Sequence, residues 1–304
     1  MDDSKNQAVG YLAAVLQAVF YSTMGIFGKL LYATGMNAQE AVILRFLCTT
    51  VLLGVFMLIW RKERLVSRQP AVYLQAVFYF ASAFLYFFAV ERMNAGIATV
   101  LFYLYPAVVA AINLVAFHEK LAVTTVVAIV LALTGLVFVS GILGGALVID
   151  PVGIAFSIGS VIAFAAYTVA IQITGRTEGS FTVTFTLSWT SLLASCVIFA
   201  PSVPTMFSLT PYQIAIGCVI ALLNTILPVV LYILAVKRIG GTKSSLISIS
   251  ETPFSLLFAF LILGETITFT DTIGIVLIIV SVILVTVAPL FSKRRDANPQ
   301  GNNE

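Results

Sequence analysis

Apolar residues in this chain come in long runs, broken by short polar stretches, and not in stripes of helical or strand period. A helix needs about 20 mostly apolar residues to cross a hydrocarbon core of about 30 Å. Ten runs meet that length, at roughly 9–33, 38–60, 71–90, 95–117, 122–145, 151–174, 181–200, 212–236, 241–264 and 269–291. Backbone amides cannot stay unpaired in lipid, so each run must form a helix or a strand of a closed barrel. Strict alternation is absent and the runs are too long for barrel strands, which selects helix. The predicted fold class is all-α integral membrane, with ten transmembrane helices.

The breaks carry the residues that end helices. Arg61-Lys62-Glu63-Arg64 closes the second run, and Asp150-Pro151 opens the sixth, where proline suits a first turn. Gly175-Arg176-Thr177-Glu178-Gly179 parts the sixth run from the seventh, and Pro201, Pro204 and Pro211 punctuate the next loop. The seventh run is the weakest, diluted by Thr182, Thr184, Thr186, Ser188, Thr190 and Ser191. No loop is long enough for a soluble domain.

Composition agrees. Of 304 residues 60% are apolar and only 10% charged, against roughly a quarter in ordinary soluble domains, so the partner that solvates this chain is a lipid bilayer. The start is polar and the first run is longer than a signal core, so it is expected to remain as the first span. Cys48, Cys196 and Cys218 all lie inside apolar runs, with no metal spacing, and read as small apolar residues.

Charge placement sets the orientation. If all ten runs cross, one face collects Lys5, Arg61, Lys62, Arg64, Arg68, Lys120, Arg176, Lys237, Arg238, Lys243, Lys293, Arg294 and Arg295. The other face holds only Arg92, while Lys29 and Arg45 lie within spans. Cytoplasmic loops collect Lys and Arg. Both termini are therefore expected in the cytoplasm, in a cell membrane. Dropping one span would move the later charges to the wrong face.

The sequence also repeats itself. Tyr86-Phe87-Phe88-Ala89-Val90-Glu91-Arg92 matches Tyr232-Ile233-Leu234-Ala235-Val236-Lys237-Arg238, and Glu119 meets Glu265 at the same shift of 146 positions. Pro106 meets Pro253 one position out of register, and Val9-Gly10 resembles Val152-Gly153. Five spans per copy is odd, so the second copy enters from the opposite face and the halves are inverted. The expected division is 1–148 for the first repeat, 149–291 for the second and 292–304 for a polar tail.

These motifs resemble the drug/metabolite transporter superfamily, in its EamA-like branch. The matching pieces are Tyr-x-x-Ala-x-x-Arg at Tyr86, Ala89 and Arg92 and again at Tyr232, Ala235 and Arg238, Tyr105-Pro106 with Glu119, Glu251-Thr252-Pro253 with Gly264-Glu265, and Arg45-Phe46. The resemblance implies a secondary transporter, often an exporter of amino acids or related metabolites. His118-Glu119 stands where the family often reads Gly-Glu, a departure expected to matter little for the fold.

Ionisable groups at depth are costly, by about 2.5–3.5 kcal/mol on insertion scales, and so mark function. Glu251 lies about 15 Å into the ninth span, near the midplane, just before Pro253. Beside freed carbonyls it could bind a cation, an ammonium group or a coupling proton; the alternative is a packing carboxyl. Lys29, in the outer half of the first span, reads either as an outer gate or as a snorkelling side chain. Arg45 reads as structural, paired to carbonyls or to a carboxylate such as Glu40. Asn224 is a candidate donor to a substrate carboxylate. Tyr103 and Tyr105 from the fourth span, Tyr21 from the first and Tyr167 from the sixth could wall a cavity for a small organic substrate. Pro106, Pro228 and Pro253 should bend their helices.

Other chemistries lack their residues. There is no Gly-x-x-x-x-Gly-Lys-Ser/Thr loop for ATP, and one histidine, His118, cannot build a multi-histidine metal centre. No cofactor and no nucleic-acid partner is expected, and no enzymatic activity. The rival classes are an importer, a carrier of drug-like cations and a membrane receptor.

Overall fold

The computed structural model describes residues 2–61, 64–144, 150–174 and 178–296, with side chains described outside 2–4, 144 and 288–296. Lys62, Glu63 and Gly175 to Thr177, named above as loop signals, lie outside the described residues, as do 145–149 and the end of the expected tail at 297–304.

Ten apolar helical segments follow one another among the described residues: Lys5–Tyr32, Ala38–Arg61, Pro70–Arg92, Ala95–Ala116, Val123–Val139, Pro151–Thr174, Ser180–Ile198, Pro211–Ile239, Gly241–Leu263 and Phe269–Val287. They are called the first to tenth spans below. Among the described residues, nine are long and apolar enough to cross a membrane. Among the described residues there is no strand. The tenth continues as helix to Asp296, into the stretch expected as a tail. An even number of passes puts both ends on one face, the terminal face; the opposite one is the distal face.

The ends follow from local sequence. Pro70, Pro151 and Pro211 open the third, sixth and eighth spans, where a missing N–H costs nothing. Asn37 and Glu40 cap each other's backbone at 2.9 Å, and Thr210 with Gln213 repeats the device at 2.9 and 3.3 Å.

Two spans differ from expectation. The fifth stops at Val139, because Ser140 and Gly141 (φ +72°) end the helix. Its 17 residues reach about 25 Å, slightly short of the hydrocarbon core. The seventh, diluted by hydroxyls, is a full helix. Thr184, Thr186 and Ser188 return their hydroxyls to the carbonyls of Ser180, Thr182 and Thr184 at 2.8 Å. These three hydroxyls are satisfied within their own helix, and the small side chains then pack against the second and third spans.

Several spans are interrupted near mid-membrane. The fourth breaks between helices Ala95–Phe102 and Tyr105–Ala116, and the ninth between Gly241–Ser248 and Glu251–Phe258. Pro106 and Pro253 sit in the first turn of the second pieces, the place a helix tolerates them. Pro228 follows a wide turn of π-helix at Leu222–Ile226 in the eighth span. A break without proline divides the first span at Thr23. There Ser22 and Thr23 turn their hydroxyls back to the carbonyls of Val19 and Phe20, at 2.6 and 2.8 Å. Nothing in the apolar pattern signalled that break.

The inverted repeat is visible in the packing. A Cβ on Gly10 would meet Arg238 and Ile239 at 2.9 and 2.6 Å, and one on Gly153 would meet Arg92 and Met93 at 3.3 and 2.8 Å. The partners are again 146 positions apart, so the first span lies on the eighth as the sixth lies on the third. Gly135 and Gly274 bring the fifth and tenth spans together, leaving no room for a Cβ on either.

Candidate functional site

The two broken spans bring their interruptions into the same site. Glu251 opens the second piece of the ninth span, and its half-buried carboxyl interacts with the hydroxyl of Tyr103, at the break of the fourth. Tyr103 is buried, as is its neighbour Tyr105, and Tyr103 also meets Thr252. A helix N-terminus favours a negative charge, so the break offers Glu251 a partial positive environment. The expected freed carbonyl is not free. Pro253 cannot donate to Ile249, but the Thr252 N–H takes that carbonyl at 3.1 Å. Tyr86, bonded to Thr99 at 2.7 Å, also lies within the electrostatic reach of Glu251.

A second polar knot lies beside the first. Arg45 of the second span donates to Thr225 Oγ1 at 2.7 Å, to the Asn224 carbonyl at 3.0 Å and to Tyr79 at 3.3 Å. Its pairing to a carbonyl was expected; Glu40 is instead committed to the helix cap. Asn224 is fully buried, and its amide nitrogen donates to the Phe20 carbonyl at 2.8 Å and to Thr23 Oγ1 at 2.9 Å. It therefore stitches the eighth span's wide turn to the first span's break, and that nitrogen is already occupied. Tyr21 lies against Arg45, Tyr79 and Tyr167. Aromatic rings run from this knot towards Glu251: Tyr79 to Tyr167 at 5.3 Å, Tyr167 to Phe164 at 5.4 Å, Phe164 to Tyr105 at 4.6 Å. The Tyr167 hydroxyl is buried and has no partner among the described residues.

Lys29 stands apart. Its ammonium pairs with Glu265 at 2.6 Å, and both side chains are about half exposed or more. This contact ties the first span to the loop after the ninth.

The two faces differ. On the terminal face, Asn113 donates to Thr242 at 2.9 Å and to Gln172 at 3.2 Å, Gln172 returns a bond to Asn113 at 3.0 Å, and the Gly241 N–H donates to Gln172 at 2.5 Å. This lattice joins the fourth, sixth and ninth spans. Every residue of Gly241–Ser248 except Lys243 is buried, packed among the first, fourth, fifth, sixth, eighth and tenth spans. On the distal face, only Ala98 of Ala95–Phe102 is buried, and the main neighbours are the third, fifth and sixth spans.

The sequence profile of the EamA-like transporter family matches this chain twice, over residues 8–141 and 151–287. The chain belongs to the EamA-like transporter family. Similar members include an uncharacterized inner membrane transporter, YicL, of Salmonella typhimurium, 26% identical over 94% of this chain and 97% of its own. An uncharacterized transporter of Clostridium kluyveri is 25% identical over 90% of this chain and 92% of its own. A protein of known crystal structure shares the fold, with a TM-score of 0.77 at 17% identity over 94% of this chain and 98% of its own.

Within this family architecture, sequence reading reached Glu251, Tyr103, Tyr105, Tyr21 and Tyr167, which the fold gathers round one region. Tyr79 and Tyr86 of the third span were not among its candidates, nor was the part Thr242 plays in the lattice with Gln172 and Asn113. The repeat held one unused signal. Tyr105 and Glu251 are 146 positions apart, so they are counterparts.

Proposed function

We propose that this EamA-like transporter is a secondary active carrier of a small metabolite, an exporter of amino acids or related compounds, working by alternating access around Glu251. The observation that carries the reading is the pairing of two broken spans, one from each repeat, with the carboxyl of one against the tyrosine of the other. Inverted-repeat carriers bind substrate and coupling ion near the midplane at discontinuous helices. A break also supplies a hinge, so the halves on each side can pack or part independently.

The closed terminal face and looser distal face support assignment to one end-state of that cycle. With the Lys and Arg bias placing the termini in the cytoplasm of a multi-pass cell-membrane protein, this is the outward-facing state. In the inward-facing state Ala95–Phe102 would take the environment that Gly241–Ser248 has here. A proton on Glu251 would travel with one direction of the switch. No catalytic role and no resident cofactor is needed.

Purified protein in sealed vesicles tests the reading. Counterflow of a labelled amino acid, dependent on preloaded unlabelled solute, is the expected result. Saturable binding without passage would make the protein a receptor, and counterflow of organic cations alone would make it a drug-type carrier. Orientation is tested separately in sealed cells. Cysteines at the exposed Asn37 and Ser208 should react with an impermeant thiol reagent, and one at exposed Arg68 should not.

A further inference from the structure

We infer that Arg45 is the anion-recognising group of the transport site and takes the carboxylate of an amino-acid-like zwitterion whose ammonium faces Glu251. This rests on the transport reading above.

The guanidinium is fixed but not neutralised. Its Nε and one terminal nitrogen are held by Thr225, the Asn224 carbonyl and Tyr79. All three are uncharged. No carboxylate among the described residues lies within 4 Å of it. The other terminal nitrogen, Nη1, meets only the Met24 sulfur at 3.6 Å. A thioether is a weak acceptor, so two N–H bonds of a membrane-embedded cation lack a strong partner. An arginine kept for structure alone would satisfy that edge with carbonyls or a carboxylate.

Two further observations point the free edge at a ligand. Glu251 lies within electrostatic reach of Arg45, and the two form no direct ion pair, so the site holds a guanidinium and an ionisable carboxyl apart from each other. A zwitterion matches that arrangement, and a simple cation or anion leaves one charge unanswered. The buried Tyr167 hydroxyl, without a partner, stands in the aromatic wall between the two charges. Asn224, the side chain expected to meet a carboxylate, has its amide nitrogen engaged with the first span. Its role becomes one of position: its backbone carbonyl, at the π-helical turn, holds Arg45.

The test uses the full chain purified in detergent, titrated with the standard L-amino acids and with their methyl esters, with thermal stabilisation as the readout. The ester removes the carboxylate charge and keeps the ammonium. At least one free acid should bind the parent protein, and its ester should bind about tenfold more weakly or worse. In Arg45→Lys the acid should fall by a similar factor while the ester is unchanged. An ester that binds the parent as well as its acid overturns the inference. So does an Arg45→Lys protein that keeps the acid-over-ester preference, and so does a panel in which no free acid binds. The ester comparison needs no variant, so misfolding of Arg45→Lys leaves the parent result decisive. Counterflow of the same acids separates the two readings. Arg45-dependent binding without passage keeps this inference and removes the transporter.

Discussion

Two helical pieces of eight residues, Ala95–Phe102 and Gly241–Ser248, are copies of one another 146 positions apart. One is buried at Ala98 alone, the other everywhere but Lys243. Their residues explain the difference. The buried copy offers Gly241, Thr242, Ser244, Ser245 and Ser248, small groups that let neighbouring backbones close in and that bond each other's chains. The looser copy offers Ile97, Val100, Leu101 and Phe102. The same inverted repeat therefore builds one face that locks with hydrogen bonds and one that can close only by burying bulky apolar groups. The second asymmetry lies at the breaks themselves, where Glu251 has Tyr105 as its counterpart. A carrier needs the shape of both halves but an ionisable group in only one.

The largest expected effect breaks that second asymmetry. Glu251→Gln keeps shape and hydrogen bonding but cannot ionise. It should reach the membrane and fold, and lose net, pH-dependent transport. Glu251→Asp should keep part of the activity, limited by the missing methylene. At the counterpart position Tyr105→Phe loses the long bond to the Ser245 carbonyl, at 3.4 Å, and the hydroxyl's contacts with Ser248 and Tyr232, all uncharged, and should stay within about tenfold of the parent. Vesicle uptake followed across pH decides between them. A fully active Glu251→Gln with the parent pH profile would end the claim that this carboxyl carries the coupling.

The next effect loosens the locked face. Asn113→Ala removes the bonds to Thr242 and Gln172 and leaves buried groups unpaired. The cost, about 1–3 kcal/mol, falls on the closed arrangement and should raise terminal-face opening about tenfold or more. A Ser245→Cys reporter, in a background lacking Cys48, Cys196 and Cys218, reads this as faster thiol labelling from the terminal side. Ser245 is fully buried, so slow labelling is the baseline. An unchanged rate would mean that packing alone holds the face.

Much of this was legible beforehand, for physical reasons. Length and apolarity gave ten helices because lipid permits little else, and the near-constant shift gave inversion because five is odd. Glu251 stood out because a carboxyl at that depth is rare. The tyrosines came as candidates without an order, since neither composition nor periodicity says which side of a fully apolar helix faces inward. Arg45 was read as structural because an embedded cation needs carbonyl or carboxylate partners; the ones it has come from the eighth span, 179 and 180 residues away. Only the fold shows that one edge of it is left over. The break at Thr23 had no proline to announce it, and Asn224 supports it from a span 201 residues distant.

A smaller effect belongs to the distal rim. Lys29 and Glu265 form one ion pair with both side chains largely in solvent, a geometry worth about 0–1 kcal/mol. Lys29→Ala should therefore change transport by less than about fivefold, with Lys29→Arg close to the parent. A complete loss of transport in Lys29→Ala with normal expression would select the outer-gate reading. It would also show that the distal rim is held by charge where the locked copy is held by neutral hydrogen bonds.

The smallest effect tests the two copies where they end the same way with different residues. Gly264 ends the ninth span in the left-handed region at φ +69°, and the Glu265 N–H then reaches back to the Ala259 carbonyl at 3.3 Å. His118, its counterpart after the fourth span, takes φ +51°, and the Glu119 N–H reaches the Asn113 carbonyl at 3.1 Å. In both, the amide after the positive-φ residue closes onto the carbonyl six residues earlier, one residue further back than in the usual glycine cap. Glycine adopts it freely, whereas a side chain with a Cβ meets its own carbonyl and costs about 1–2 kcal/mol. The departure expected to be neutral thus carries local strain in the first repeat alone. His118→Gly should stabilise the purified protein by about 1 kcal/mol, raising the midpoint of thermal unfolding by about 2 °C. Gly264→Ala should lower it by a similar amount, and neither should alter transport. If His118→Gly lowers the midpoint instead, the histidine side chain makes a compensating contact, and the equivalence of the two caps extends to the backbone only.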